Sequence, residues 1–329
     1  MRHLLRRTGF YLVALWASIT LNFIIPRLIP GDPTAALMAR FQGQHVDNDT
    51  INTLRIQFGI SNEPVLVQYV KYLNNLLHGN LGTSITYFPS PVVPLIAEHL
   101  KWTLGLMGVA VIISFTVGTL LGVLFSWKRG GWLDSFALPT LTFFSALPYF
   151  WLALALLYFL GFTLNLFPVE GGYDVLNVDP AWSGDFVSSV IQHAILPAFT
   201  IVISSIAGWT LSMRNTMLTT LSEDYVLMAE AKGLPTSQVM LRYAARNAIL
   251  PSVTGFAMSI GFIVGGAILT EIVFSYPGIG FLLLKAVNNL DYSLIQGVFL
   301  VITISVLLAN FLADLVYTFL DPRVRQERG

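Results

Sequence analysis

Six long runs of this 329-residue chain carry almost no charge, and they decide what it can fold into. They fall at about 8–29, 102–127, 136–167, 194–213, 252–270 and 293–319. A hydrocarbon core of roughly 30 Å needs about 20 helical residues rising 1.5 Å each, and every run is long enough. Charged residues are 11% of the chain, against roughly 25% in soluble domains. Apolar residues reach 55% and the mean hydropathy is +0.69. The expected fold is therefore an all-α integral membrane protein with six transmembrane helices. The opening MRHLLRRTGF looks like a signal peptide, but the apolar stretch behind it runs on to Pro26 and Arg27 without a small-x-small cleavage site, so it reads as a retained first span. The third run, with prolines at 139, 148 and 168, fits either one kinked helix or a tight hairpin.

Charge chooses the sides. With six spans, one face collects Arg2, Arg6, Arg7, Lys128, Arg129, Arg214, Lys232, Arg242, Arg246, Arg323, Arg325 and Arg328, which is 12 of the 18 Lys and Arg. The short opposite loops, 168–193 and 275–292, hold only Lys285. The positive-inside rule makes the first face cytoplasmic, together with both termini. The expected organisation is a first span at 1–29, an external subdomain at 30–101, a five-helix core at 102–321 containing a cytoplasmic loop at 214–250, and a tail at 322–329. Within 30–101 the apolar residues Leu66, Tyr69, Val70, Leu73, Leu76 and Leu77 have helical spacing.

The stretch 222–251, SEDYVLMAEAKGLPTSQVMLRYAARNAILP, is a charged island between two spans. Ser222 is placed to cap a helix whose first turn carries Glu223 and Asp224, favourable at the positive end of the helix dipole. That helix is expected to run through Ala231 and Lys232. Gly233 then supplies a left-handed residue and Pro235 forbids continuation. Thr236 or Ser237 restarts a second helix to about Ile249, and Pro251 suits the first turn of the fifth span. Ala229, Ala231 and Gly233 keep the turn small enough for another backbone to approach, while Tyr225, Val226 and Met228 offer apolar contact. Arg242 and Arg246 share a face and suit acids on a partner or lipid phosphates equally well. A plain basic loop that only sets topology would explain the arginines but not the capping pattern.

Ala229-Glu230-Ala231-Lys232-Gly233, with Pro251 eighteen positions beyond the glycine, resembles the "EAA" loop of bacterial ABC import permeases. The resemblance extends along the chain: Leu28-Ile-Pro-Gly-Asp-Pro33, His78-Gly-Asn-Leu-Gly-Thr-Ser84 (Asn80 where the family usually has an acid), Arg214-Asn-Thr-Met217, Asp224-Tyr-Val226, 271–280 (EIVFSYPGIG), 291–296 (DYSLIQ) and 320–325 (LDPRVR). It is to inner-membrane permeases of the oligopeptide, dipeptide and nickel class. It implies a transport subunit rather than an enzyme, in the bacterial cytoplasmic membrane, working by alternating access. The implied partners are a second homologous permease, two ATPase subunits, an extracellular substrate-binding protein and membrane lipid. Asp224, Tyr225, Met228, Ala229, Glu230, Ala231, Lys232, Gly233, Arg242 and Arg246 would couple to the ATPases. This chain has no GxxxxGK[ST], so ATP and Mg would be held by those partners and this chain would bind no cofactor. Peptide is the implied cargo, with oligosaccharide as the alternative and nickel behind it. The five histidines are scattered without metal spacing.

Two acids lie in apolar runs and are functional candidates by default. Asp314 sits near the cytoplasmic end of the sixth run, within reach of interfacial arginines. Glu271 ends the fifth run before Tyr276-Pro277-Gly278, a stiff turn, and these four residues are the candidate gate or binding-protein contact. The competing assignment for Glu271 is local: capping backbone or pairing with Lys285. An intramembrane enzyme would need paired acids, HExxH or a Ser/His pair at depth, and none is visible. Zero net charge argues against a nucleic-acid partner, and the absence of cysteine excludes thiol chemistry.

Overall fold

The computed structural model describes residues 2–30, 63–127, 130–266 and 268–320. Residues 31–62 of the expected external segment and the tail from 321 lie outside the described residues, as does the side chain of Asp314. In chain order the helices are α1 Arg2–Leu28, α2 Val65–Leu77, α3 Val92–Trp127, α4 Leu138–Ala146, α5 Tyr149–Leu156, α6 Gly184–Thr220 and α7 Asp224–Ala231. Next comes α8, built from Thr236–Gln238, Val239–Ala245 and Arg246–Ala248. Then follow α9 Leu250–Gly261, α10 Ile263–Gly266, α11 Ile268–Val273, α12 Ile279–Asn288 and α13 Tyr292–Leu320. Among the described residues the only strand-like pairing is one bridge between Thr83 and Pro91. The chain divides into two compact units: 1–103 with 277–311, and 104–276 with 312–329.

Four helical stretches are long and apolar enough to cross a membrane alone: Thr8–Leu28, Val92–Trp127, Gly184–Thr220 and Tyr292–Leu312. Two bent pairs bring the number to six if each pair counts as one span. In the first, Asp134–Ala146 and Tyr149–Thr163 meet at a 100° bend. Leu147 takes extended backbone (ψ 138°) because Pro148 crowds a helical predecessor and has no N–H to donate. At 1.5 Å per residue each arm spans about 20 Å, too short to cross alone, so a hairpin of two full crossings is excluded. In the second pair, Leu250–Gly261 and Ile263–Val273 bend by 54°. The fourth span also exceeds its expected 194–213: α6 has 37 residues and is capped by Ser183, whose Oγ accepts from the Phe186 N–H at 3.2 Å. Its helix continues to Thr220, so Arg214 is helical and the loop expected from 214 begins about seven residues later, just before the charged island at 222.

In the second unit, α3 meets α6 through Gly118 and Gly122, one turn apart. A Cβ on Gly118 would lie 2.6 Å from the Cβ of Trp209, and one on Gly122 would lie 2.7 Å from the Thr210 carbonyl oxygen. Only glycine lets these backbones approach, the small-residue packing that joins helices in lipid. Asp134 and Arg214, eighty residues apart, form a two-pronged pair at 2.9 and 3.0 Å, and Asp134 also accepts from the Gly130 N–H.

The first unit has its own core of Val92, Ile96, Ile279, Leu282, Leu294 and Val298. Beside it Asp291 is fully buried before α13. Its carboxylate accepts from Ser84 Oγ (2.5 Å), the Thr86 N–H (2.8 Å) and the Leu294 N–H (3.1 Å), capping the last helix and holding the 84–86 segment. Helix α2 lies where the apolar spacing predicts. It is fastened to α1 by Thr20–Tyr69 (2.7 Å) and by Arg27, which donates to Gln68 Oε1 at 3.1 Å.

Candidate functional site

The island folds as a helical hairpin. Ser222 does not cap α7 as expected: its hydroxyl donates to the Thr219 carbonyl at 2.7 Å, because α6 continues far enough to offer that acceptor. Glu223 takes the cap position with extended backbone, and Asp224 opens the first turn. Gly233 closes α7 at φ +72°, the left-handed conformation its place before Leu234-Pro235 predicts. Helix α8 starts at Thr236 and widens over Val239–Ala245 into i→i+5 turns, a departure often found where a helix is asked to do more than pack. One turn residue separates it from α9, whose first turn carries Pro251.

Burial divides the hairpin cleanly. Met240, Ala244 and Ala248 pack on Met213 and Met217 of α6. Val226 and Ala229 pack on Val239, flanked by Tyr243 and Leu234. Ala229, read from the sequence as part of an open turn, is thus inside: its small side chain lets the two helices close on each other. Ala231, Lys232 and Gly233 remain exposed. So do Tyr225, Leu227, Met228 and Leu241, with Met228 59% accessible. Tyr225 Oη accepts from Asn247 Nδ2 at 2.9 Å, bracing α7 against α8. Glu230, Arg242 and Arg246 are exposed too, and among the described residues none of these three, nor Lys232, makes an ion pair. The arrangement is a rigid platform with an uncovered apolar surface and uncommitted charge. Leu227 and Leu241 were not singled out in the sequence, where a leucine in a short amphipathic helix signals core.

The 271–280 turn is different. Glu271 is fully buried in α11, and Phe274 and Tyr276 are each 2% accessible. The Tyr276 N–H donates to the Glu271 carbonyl at 2.8 Å, and the Phe274 carbonyl accepts from the Gly171 N–H at 3.1 Å. Burial first, and the Glu271 carboxylate second, push the Tyr276 phenol well above its ordinary range. Both side chains lie inside this unit, Glu271 with no accessible surface and Tyr276 with 2%. In the first unit, Gly278 precedes α12 and its carbonyl accepts from Leu282, while the next N–H, of Ile279, is held by Thr103 Oγ1 at 2.8 Å. Pro277 is half-buried.

Comparison with known proteins bears on the whole chain. The family model described as "Binding-protein-dependent transport system inner membrane component" matches residues 118–326, and its N-terminal companion matches 1–99. A probable peptide ABC transporter permease protein of Sinorhizobium fredii is 37% identical over 92% of each chain. A probable D,D-dipeptide transport system permease protein of Escherichia coli is 33% identical over 99% of this chain and 98% of its own. An oligopeptide transport system permease protein of Bacillus subtilis is 33% identical over 98% of each.

Proposed function

Since this chain belongs to the family of inner-membrane components of binding-protein-dependent transport systems, we propose that it moves short peptides inward as one permease of an ATP-driven importer. The observation that carries the mechanism is the α7–α8 hairpin, which is well packed beneath and apolar on its exposed side. Peptide cargo is supported by the names of the relatives, which specify peptides, D,D-dipeptides and oligopeptides. The hairpin is the surface offered to a partner ATPase. Tyr225, Leu227 and Met228 supply its apolar contact, Ala231 and Gly233 its close approach, and Asp224, Glu230, Lys232, Arg242 and Arg246 its charge. ATP and Mg belong to two such ATPases, and a second permease completes the path. Substrate arrives on an external binding protein.

Force has a short route inward. A push on α7 reaches α8 through the Val226–Ala229–Val239 contact, and α8 hands over to α9 across one residue. The receiving span is itself bent, so a small displacement at its base changes the angle between its arms rather than translating a rod. Glu271 and Tyr276 hold the far end of that span in register as positioning residues.

Sidedness is part of the proposal. The concentration of Lys and Arg supports a cytoplasmic hairpin, cytoplasmic termini and an external 30–101 segment. Cysteines placed singly at Ser237 and Asp49 are expected to react with an impermeant reagent from opposite sides of the membrane; reaction of both from outside would overturn the assignment. The function is tested by reconstituting the complex and measuring ATP-dependent uptake of labelled di- to pentapeptides beside oligosaccharides. Peptide uptake alone is expected, and uptake of the sugars alone would overturn the cargo.

A further inference from the structure

Both bent spans converge on one cavity in the second unit. Its volume is about 240 Å³, and none of the residues lining it is charged. Six of them bear hydroxyls: Ser114 of α3, Tyr149 of α5, Ser204 and Ser205 of α6, Ser259 of α9 and Thr270 of α11. Tyr149 is the first residue after the 100° bend, while Ser259 and Thr270 stand on the two sides of the 54° bend. Interrupted helices at membrane depth are tolerated where the break lines a cavity, so the two bends and the cavity belong to one feature.

The hydroxyls are not equivalent. Ser114, Ser204, Ser205 and Ser259 each donate to a carbonyl of their own helix three or four residues back, at 2.7 to 3.2 Å. Their protons are committed, and the lone pairs left over accept. Thr270 is fully buried and its Oγ1 has no hydrogen-bond partner. A buried hydroxyl without a partner is costly, and most such groups meet a ligand or water. The cavity therefore offers several acceptors, and the Thr270 hydroxyl is free to donate or accept.

We propose that this cavity receives the backbone of the peptide in transit; the inference rests on the peptide-permease reading given above. Peptide N–H groups match the serine lone pairs, and a peptide carbonyl matches Thr270. No lining charge repels or traps an acidic or basic side chain, so one site passes peptides of differing sequence. The volume is below the roughly 300–1,000 Å³ of drug-sized ligand sites, so it suits a short stretch of chain rather than a whole substrate.

The chain's lack of cysteine makes the test clean. Ser205→Cys places one thiol on the cavity wall of this chain within the assembled complex, and mass spectrometry of this chain reads its reaction with a small cationic methanethiosulfonate. The competing peptide is trialanine, or another short peptide that the wild type is first seen to take up with ATP. Labelling at least fivefold slower while that peptide is being transported is the expected result. An unreactive thiol, or labelling that transport does not slow, overturns the inference. Thr270→Val, which keeps shape and removes the hydroxyl, is expected to lower peptide uptake severalfold while ATPase capture stays unchanged; unchanged uptake also overturns it. If that variant fails to accumulate, the Ser205→Cys measurement decides. A wild type that takes up no peptide overturns the permease reading and the cavity assignment together, which separates that failure from failure of the cavity alone.

Discussion

The α7–α8 hairpin and the turn after α11 belong to the same unit, yet they arrange their side chains in opposite ways. The hairpin puts alanines inside, at 229, 244 and 248, and leaves Leu227, Met228 and Leu241 outside. The turn puts Glu271, Phe274 and Tyr276 inside. Packing explains the turn by itself: a buried acid and two rings fix the end of a bent span. Packing does not explain the hairpin's exterior, because burying those side chains would have been worth about 1.5–3 kcal/mol each. That difference is what supports the proposed partner surface on the hairpin.

That contrast can be broken by experiment. The largest effect is expected from Leu227→Ser combined with Met228→Ser: ATPase co-purification falls tenfold or more, while the melting temperature of the isolated permease stays within about a degree. A clear drop in melting temperature would mean that these residues support the fold, and the contrast would vanish. Glu271→Gln should do the reverse. It keeps shape, removes charge from a fully buried site and is expected to cost about 1–3 kcal/mol, read as a lower melting temperature with ATPase capture intact. Normal melting with impaired transport would restore a direct role for the acid. The smallest shift comes at Gly233, where an added Cβ meets no atom within 4 Å and only the left-handed backbone objects. Gly233→Val should cost roughly 1–2 kcal/mol and weaken coupling, whereas Gly233→Asn, tolerant of that backbone, should stay near wild type. Equal behaviour of the two variants would show that bulk at the contact, not backbone strain, is what matters.

The sequence was most legible where one local rule governs. Hydropathy located the spans, although it missed their overhang: α6 runs well past its apolar stretch because Ser183 starts it early and the Asp134 pair accommodates Arg214. Pro148 marked a break without revealing its 100° angle, which depends on what each arm packs against. Gly233 was readable because few residues besides glycine take its backbone. Ser222 was misread because its acceptor, the Thr219 carbonyl, exists only if the previous helix is longer than its hydropathy implies. Gly118 and Gly122 were in plain view, but spacing does not name the helix they meet. Burial of Glu271, the partnership of Ser84 with Asp291 and the convergence of six hydroxyls all join residues distant in sequence, and no periodicity records that.

The Asp291 cluster sets an order of assembly. Its partners Ser84 and Thr86 are 207 and 205 residues upstream, so during synthesis they emerge long before the carboxylate they will serve. At roughly 5–20 residues per second the interval is about 10 to 40 s. Through that time a loop made early must wait, its serine and amide satisfied by water, for the last helix to be delivered. The first unit therefore closes only once residue 291 has been made. A ribosome that stalls, or a gene cut short before codon 291, leaves the early loop without its clasp.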